Sequence, residues 1–269
     1  MPVLSDQARA KVNLTLQVYG RRTDGFHDLE SVVAFADCAD RLTLSPGSDL
    51  DLKMSGPLEQ ACGDSSDNLV LKAARLLAER VPDMKAGSFS LDKALPVAAG
   101  IGGGSADAAA ALRLLTSLWR IDPKCAQQVA PTLGSDVPAC LLSLTARGEG
   151  AGDRLTSVDL PELSGKPVLL VNPRVPLSTA DVFGRWDGED RGPLAAWRAG
   201  RNDLEQPAIA LVPQIESVLA WLGVQSGAEF VRMSGSGATC FALFDSEEAR
   251  DGAADAVPRE WWRLATFLR

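Results

Sequence analysis

A chain of 269 residues, 46% hydrophobic and 23% charged, is long enough to bury a sizeable core as one large domain or two smaller ones. Its formal net charge of −8 argues against nucleic acid or an anionic membrane as partner, while an anionic small molecule could still be held by a few local cations. Five scattered cysteines without a C-x-x-C pair and a single histidine argue against a disulfide framework or a zinc site. With no apolar leader and no run of about 18 apolar residues, the expectation is a cytoplasmic protein.

The first third reads as strands. Residues 10–19 alternate, with Val12, Leu14, Leu16 and Val18 on one face; 31–35 are apolar and β-branched; 42–44 and 50–54 flank the Pro46-Gly47-Ser48 turn. Helical spacing follows over 67–81, with Leu69, Ala73, Leu76 and Leu77 on one face and a polar cap region at Ser65, Ser66 and Asp67. A short strand at 88–91 leads into Pro96-Val97-Ala98-Ala99-Gly100-Ile101-Gly102-Gly103-Gly104-Ser105-Ala106, and an Ala-rich helix runs from about Ser105 to Trp119. Residues 125–133 read as a helix closed by Gly134. Further on come a strand at 167–171, a helix over 204–222 broken or started at Pro207 and Pro213, and two strands within 229–244 around Ser234-Gly235-Ser236-Gly237. The stretch 184–200 reads as a loop or weak helix. Strands and helices mix without strict alternation, so the fold class is α+β in two lobes, about 1–150 and 151–269.

Chemistry concentrates in five places. Four glycines in five residues let backbone N–H groups approach a ligand, and Ser105 is placed to cap a helix whose N-terminus offers unpaired donors: this is a phosphate cradle without the Gly-Lys-Ser/Thr of a Walker A loop, or simply a tight turn. Lys11 and Asn13 share one strand face, either solvated or aimed at a substrate. Asp136, in Gly134-Ser135-Asp136-Val137-Pro138, is a turn or cap residue or a general base. His27, preceded by Phe26 and near Arg21 and Arg22, suits a planar ring with anionic groups. The loop 234–239 is a hairpin turn or a second backbone surface packed on the first glycine loop. The tryptophans, including Trp261 and Trp262, read as packing.

Together and in this order, Ala10-Lys11-Val12-Asn13-Leu14, the Gly20-Arg21-Arg22…Gly25-Phe26-His27 loop, the segment from Pro96 to Ala109, Leu133-Gly134-Ser135-Asp136-Val137-Pro138 and Ser234-Gly235-Ser236-Gly237-Ala238 resemble the GHMP kinase superfamily. Asp67-Asn68-Leu69, Leu91-Asp92-Lys93 and Asn202-Asp203-Leu204-Glu205 are further agreements, so the resemblance spans Ala10 to about Phe244. It implies a two-lobed α+β kinase with its active site in the cleft between the lobes. ATP would be bound by the 96–106 loop (Pro96, Val97, Ala98, Ala99, Gly100, Ile101, Gly102, Gly103, Gly104, Ser105, Ala106) with Asn68 and Lys93. Magnesium would be carried by the phosphates with little direct protein ligation beyond Ser105.

The same resemblance implies Lys11 and Asp136 as the catalytic pair, Lys11 bonding both Asp136 and the acceptor hydroxyl. It places Asn13, Phe26, His27, Thr179, Phe183 and Gly235 on the substrate, with a cytosine held between Phe26 and Phe183 and hydrogen-bonded by His27. The triple glycine and the Gly-Arg-Arg…His loop point to the branch that phosphorylates a cytidine-diphosphate-linked methylerythritol on the non-mevalonate route to isoprenoids, acting as a monomer or weak homodimer. Two features depart from the branch pattern: Phe26 stands where a tyrosine is usual, and Ala106 where a second serine often follows the first. The rivals are another GHMP kinase such as a homoserine kinase, and a dinucleotide-binding oxidoreductase, since Gly100-x-Gly102-x-x-Ser105 brushes the Rossmann fingerprint.

Overall fold

The computed structural model describes residues 2–58, 67–81, 83–96, 99–193 and 196–269, and the expected loop residues Val97 and Ala98 and cap residues Ser65 and Ser66 lie outside them. The chain divides into two compact units. The first comprises Met1–Ala10, Cys38–Val97 and Gly102–Ser143, and the second Lys11–Asp37, Ala98–Ile101 and Leu144–Arg269. The expected boundary near residue 150 falls inside the second unit. Residues 11–37 go with the second unit because the first half of one long strand pairs with a strand at 146–150.

In the first unit, strand β1 (Leu4–Asn13) begins and the second half of β3 (His27–Ser45) pairs antiparallel with β5 (Ser88–Asp92), which pairs parallel with β4 (Asp51–Ser55). The segments flanking Pro46-Gly47-Ser48 thus do not form a hairpin, since β5 lies between them. Helix α1 (Leu69–Ala78) starts two residues later than its apolar spacing predicts, because Asn68 caps it by accepting from Val70 N at 2.9 Å. Helix α2 spans Gly103–Trp119, α3 Pro123–Leu133 and α4 Val137–Leu142. The core of this unit is built from Leu42, Leu44, Phe89, Leu91, Leu77 and Leu112, all buried. Burying a side chain of this size stabilises by roughly 1.5–3 kcal/mol, before the entropy of ordering it.

In the second unit, β2 (Gln17–Arg21) and β6 (Ala146–Gly150) pair antiparallel with the first half of β3, and β7 (Arg154–Ser157) continues from β6. The predicted strand over 10–19 is interrupted at 14–16, where Leu14 and Thr15 donate to the Val32 carbonyl and Leu16 to that of Arg201. A separate four-stranded antiparallel sheet runs in the order β11 (Trp262–Phe267), β8 (Pro167–Asn172), β10 (Cys240–Phe244), β9 (Ala228–Met233). Against it lie α5 (Thr179–Gly184), α6 (Glu205–Leu211), α7 (Gln214–Gly223) and α8 (Glu247–Ala256), with Val171, Ile215, Val218, Leu222 and Phe244 in their shared core. The helix predicted over 204–222 splits at Pro213, which cannot donate a helical N–H. Trp221 and Trp261 meet edge to face at 6.0 Å, as packing residues. No helix or strand forms among the described residues of 185–200. Among the described residues, no helix is long and apolar enough to cross a membrane.

Candidate active site

Lys11 and Asn13 do share a face, and it is not solvated: they are 5% and 4% exposed. The backbone around them joins both glycine loops. Lys11 N donates to the Ile101 carbonyl at 2.9 Å, and Asn13 N donates to Ser234 Oγ at 3.0 Å. Asn13 Nδ2 is fixed by Ser31 Oγ at 2.7 Å, while its Oδ1 is buried without a hydrogen-bond partner. That oxygen lies 3.2 Å from where a Cβ on Gly235 would stand. A buried acceptor left idle is costly, so a donor from a ligand at this spot would meet a prepared partner.

The loop 234–239 is more than a turn. Gly100, at φ +74°, packs so closely on Gly237 that no side chain fits between them. Thr239 Oγ1 donates to the Ala99 carbonyl and accepts from Asn172 Nδ2 at 2.9 Å, tying the end of β8 to the first glycine loop. Asn202 Nδ2 donates to the carbonyls of Met233 and Gly235, both at 2.8 Å, and holds the loop from below. Thr179 and Ser236 exchange a hydroxyl hydrogen bond at 2.9 Å. Asn172 escapes sequence reasoning, since it sits in no motif; Thr239 closes the loop the sequence offers as a second surface, and Asn202 is visible there only as an unexplained agreement.

In the first unit, Gly102 at φ +69° is the N-cap of α2 and makes no side-chain cap bond. Ser105 therefore does not cap the helix as expected. It is the third helical residue, because the left-handed turn falls at glycine, where no Cβ opposes it. Ser105 is the one hydroxyl in the 96–106 stretch. Asn68 spends its Oδ1 on capping α1, so only its amide nitrogen, 3.7 Å from Met54 Sδ, is turned elsewhere. The Lys93 ammonium is buried between Asp40 and Asp107. Burial works against its charge, yet the two carboxylates reverse this and hold its pKa above the ordinary value; burial pushes Asp107 up. Asp136 stands at the N-cap of α4 but its carboxylate makes no cap bond, so helix capping does not account for it.

The His27 ring stacks on Phe183 with centroids 4.8 Å apart and planes at 28°, and Trp186 meets it edge-on at 5.7 Å. Burial, then the Arg21 charge, hold the imidazole below its ordinary pKa, so it is neutral at neutral pH. Of the two rings expected to flank a base, Phe183 has one face covered by His27, and Phe26 is 56% exposed. Arg22 is engaged by Asp24 at 2.8 Å and Asp28 at 3.1 Å, leaving Arg21 as the cation acting on the ring. Trp186, three residues after Phe183, is a member of this cluster that the sequence reading left as packing.

The dinucleotide reading fails on topology. The strand before the loop, β5, runs antiparallel to β3, and α2 is followed by further helices rather than by a parallel strand. Comparison with known proteins agrees. Residues 68–143 match the GHMP kinases N terminal domain and 187–264 the GHMP kinases C terminal domain. The 4-diphosphocytidyl-2-C-methyl-D-erythritol kinase of Rhodopseudomonas palustris (strain HaA2) is 54% identical, over 98% of each chain. The enzyme of the same name from Bradyrhizobium diazoefficiens is 50% identical over 100% of this chain and 99% of its own. A crystal structure of 4-(cytidine 5'-diphospho)-2C-methyl-D-erythritol kinase superposes with a TM-score of 0.84 at 33% identity, covering 98% of this chain and 99% of that one. A homoserine kinase from Cytophaga hutchinsonii shares the fold at a TM-score of 0.70 but only 16% identity, over 100% of this chain and 95% of its own. With half or more of its residues identical to such relatives along nearly its whole length, the chain belongs to the GHMP kinases and, within them, to the family of 4-diphosphocytidyl-2-C-methyl-D-erythritol kinases.

Proposed function

We propose that the protein transfers the γ-phosphoryl group of ATP to the 2-hydroxyl of 4-diphosphocytidyl-2-C-methyl-D-erythritol, a step toward isoprenoid precursors. The observation that carries this reading is the buried Lys11–Asn13 segment, bonded on one side to Ile101 and on the other to Ser234. It puts an ammonium-bearing strand and an idle amide oxygen beside two glycine-rich loops.

In the reaction, the bond from the γ-phosphorus to the β–γ bridging oxygen of ATP breaks and one from phosphorus to the acceptor oxygen forms. ADP leaves, and the hydroxyl proton passes to the Asp136 carboxylate. An alkanol is far less acidic than any carboxylic acid, so the proton follows or accompanies phosphoryl departure rather than preceding it. The Lys11 ammonium steadies the charge that develops on the acceptor oxygen. The N–H groups of Gly103, Gly104 and Ser105 at the start of α2 have no partner within the helix and offer the positive end of its dipole to phosphate. Asn13 Oδ1 accepts from a donor on the acceptor alcohol, and His27 reads the base.

Among the described residues, no group of three or more histidines, cysteines or carboxylates is gathered for a metal. Ser105, the one hydroxyl of the 96–106 stretch, would be the side chain to help hold a magnesium ion beside the nucleotide, and such an ion would neutralise phosphate charge.

A coupled ADP-release assay offering 4-diphosphocytidyl-2-C-methyl-D-erythritol, homoserine and mevalonate in turn tests the reading. ADP should form rapidly with the first alone, and cytidine diphosphate should inhibit. Turnover of homoserine without inhibition by cytidine diphosphate would overturn it.

A further inference from the structure

In the first unit three charged side chains meet out of contact with water. The Lys93 ammonium donates to Asp107 Oδ2 at 2.8 Å and to Asp40 Oδ2, and all three side chains are 4% exposed or less. Asp40 accepts in addition, through Oδ1, the backbone N–H of Ala94 at 2.7 Å and of Leu95 at 2.8 Å. These are the residues that lead from β5 to Pro96. Lys93 Nζ lies 3.8 Å from where a Cβ on Gly103 would stand, and the Pro96 carbonyl lies 3.7 Å from the same point. Asp107 follows Gly103 by four residues, one turn along the same side of α2. The three charges thus join the second half of β3, the exit of β5 and the first turns of α2.

Stability alone does not explain such a cluster. Apolar side chains of similar volume often fill a buried ionic site as well or better, because taking charges out of water is expensive. A cation near a helix N-terminus also has the wrong sign for the macrodipole. What the ions supply is direction, since each charge-assisted hydrogen bond fixes a distance and an angle that an apolar contact does not. We propose that Asp107 and Asp40 are positioning residues for the nucleotide: through the Lys93 ammonium they hold the start of α2 in the register at which its unpaired N–H groups face the ATP phosphates. The proposal rests on the reading of 96–106 as the phosphate cradle.

The test compares thermal unfolding, the KM for ATP and the KM for the acceptor alcohol in Asp107→Ala, Asp107→Asn and Gly103→Val. Loss of a hydrogen bond to a charged group should raise the KM for ATP about tenfold or more in Asp107→Ala, with the acceptor KM within about twofold of the native value. Asp107→Asn keeps an oxygen for Lys93 Nζ and should restore much of this, leaving a rise of about threefold. A folded Asp107→Ala with native ATP KM, or one in which both KM values rise together, overturns the proposal. Should Asp107→Ala not fold, Asp107→Asn decides alone: an unchanged ATP KM overturns the proposal and a selective rise supports it. Gly103→Val separates the two readings. If it weakens ATP while the Asp107 variants do not, the cradle stands and the clasp fails; if it leaves ATP binding native, the cradle itself is misassigned.

Discussion

A Cβ built on Gly100 would run into the carbonyl oxygen of Gly237, so the backbones of the two glycine-rich loops are in direct contact. Each glycine also has a positive φ, +74° and +87°, where an L side chain is strained. The contact is what turns the 234–239 loop from a hairpin connection into a mould for the first loop.

Glycines of the two loops should therefore respond differently to substitution. Gly100→Ala and Gly237→Ala each add backbone strain of roughly 1–2 kcal/mol besides a clash, and should raise the KM for ATP about tenfold or more. Gly103 has ordinary clearance around an added Cβ, 3.7 Å or more, and no positive φ. Gly103→Ala should fold with an unfolding temperature at or above the native one, since replacing glycine where φ allows it trims unfolded-state entropy by about 0.4–1 kcal/mol. Equal damage at Gly100 and Gly103, by calorimetric unfolding and ATP titration, would contradict the mould.

Asp136→Asn and Lys11→Ala should lower turnover far more than ATP affinity. A positioned acid or base contributes about 10²–10⁴-fold, and a drop of that size in kcat is expected for Asp136→Asn. Asp136 makes no cap bond to α4 that its replacement would remove. Single-turnover kinetics alongside titration with a non-hydrolysable ATP analogue checks both parts; near-native turnover in Asp136→Asn removes it as the base.

Much of this was legible in the residues themselves, and for specific reasons. The α2 helix and the loop before it were readable because glycine spacing and an Ala-rich run leave few alternatives, and the break at Pro213 because proline lacks a donor. Ser105 was misread as the cap because sequence favours a hydroxyl there, whereas the structure places the left-handed turn at Gly102. The burial of the Lys93 ammonium was not legible because its neutralising partners, Asp40 and Asp107, are 53 and 14 residues away. No local pattern encodes such a pairing. The division at 11–37 was hidden for the same reason: strand partnership across more than a hundred residues carries no signature in either segment.

Base recognition should depend on His27 and on what orients it. Stacking on any aromatic face contributes roughly 1–3 kcal/mol and does not separate cytosine from uracil, so the directional contacts must. A neutral imidazole offers one donor and one acceptor, and its ring is held by Phe183 on one face and Trp186 at its edge. His27→Ala should erode the preference for the cytidine over the uridine substrate in kcat/KM. Phe183→Ala should do so too, because it releases the His27 ring, whereas exposed Phe26→Ala should weaken both substrates about equally. The pH dependence has a definite sign. Because burial and Arg21 depress the His27 pKa, the neutral ring persists below the ordinary histidine range. Cytidine affinity should stay flat on descending from neutral pH and fall only as the depressed pKa is crossed, when the acceptor nitrogen is protonated. The fall should be absent in His27→Asn. Isothermal titration with cytidine diphosphate across that range decides it: a native-like fall in His27→Asn, or full cytidine preference in His27→Ala, would place base recognition elsewhere.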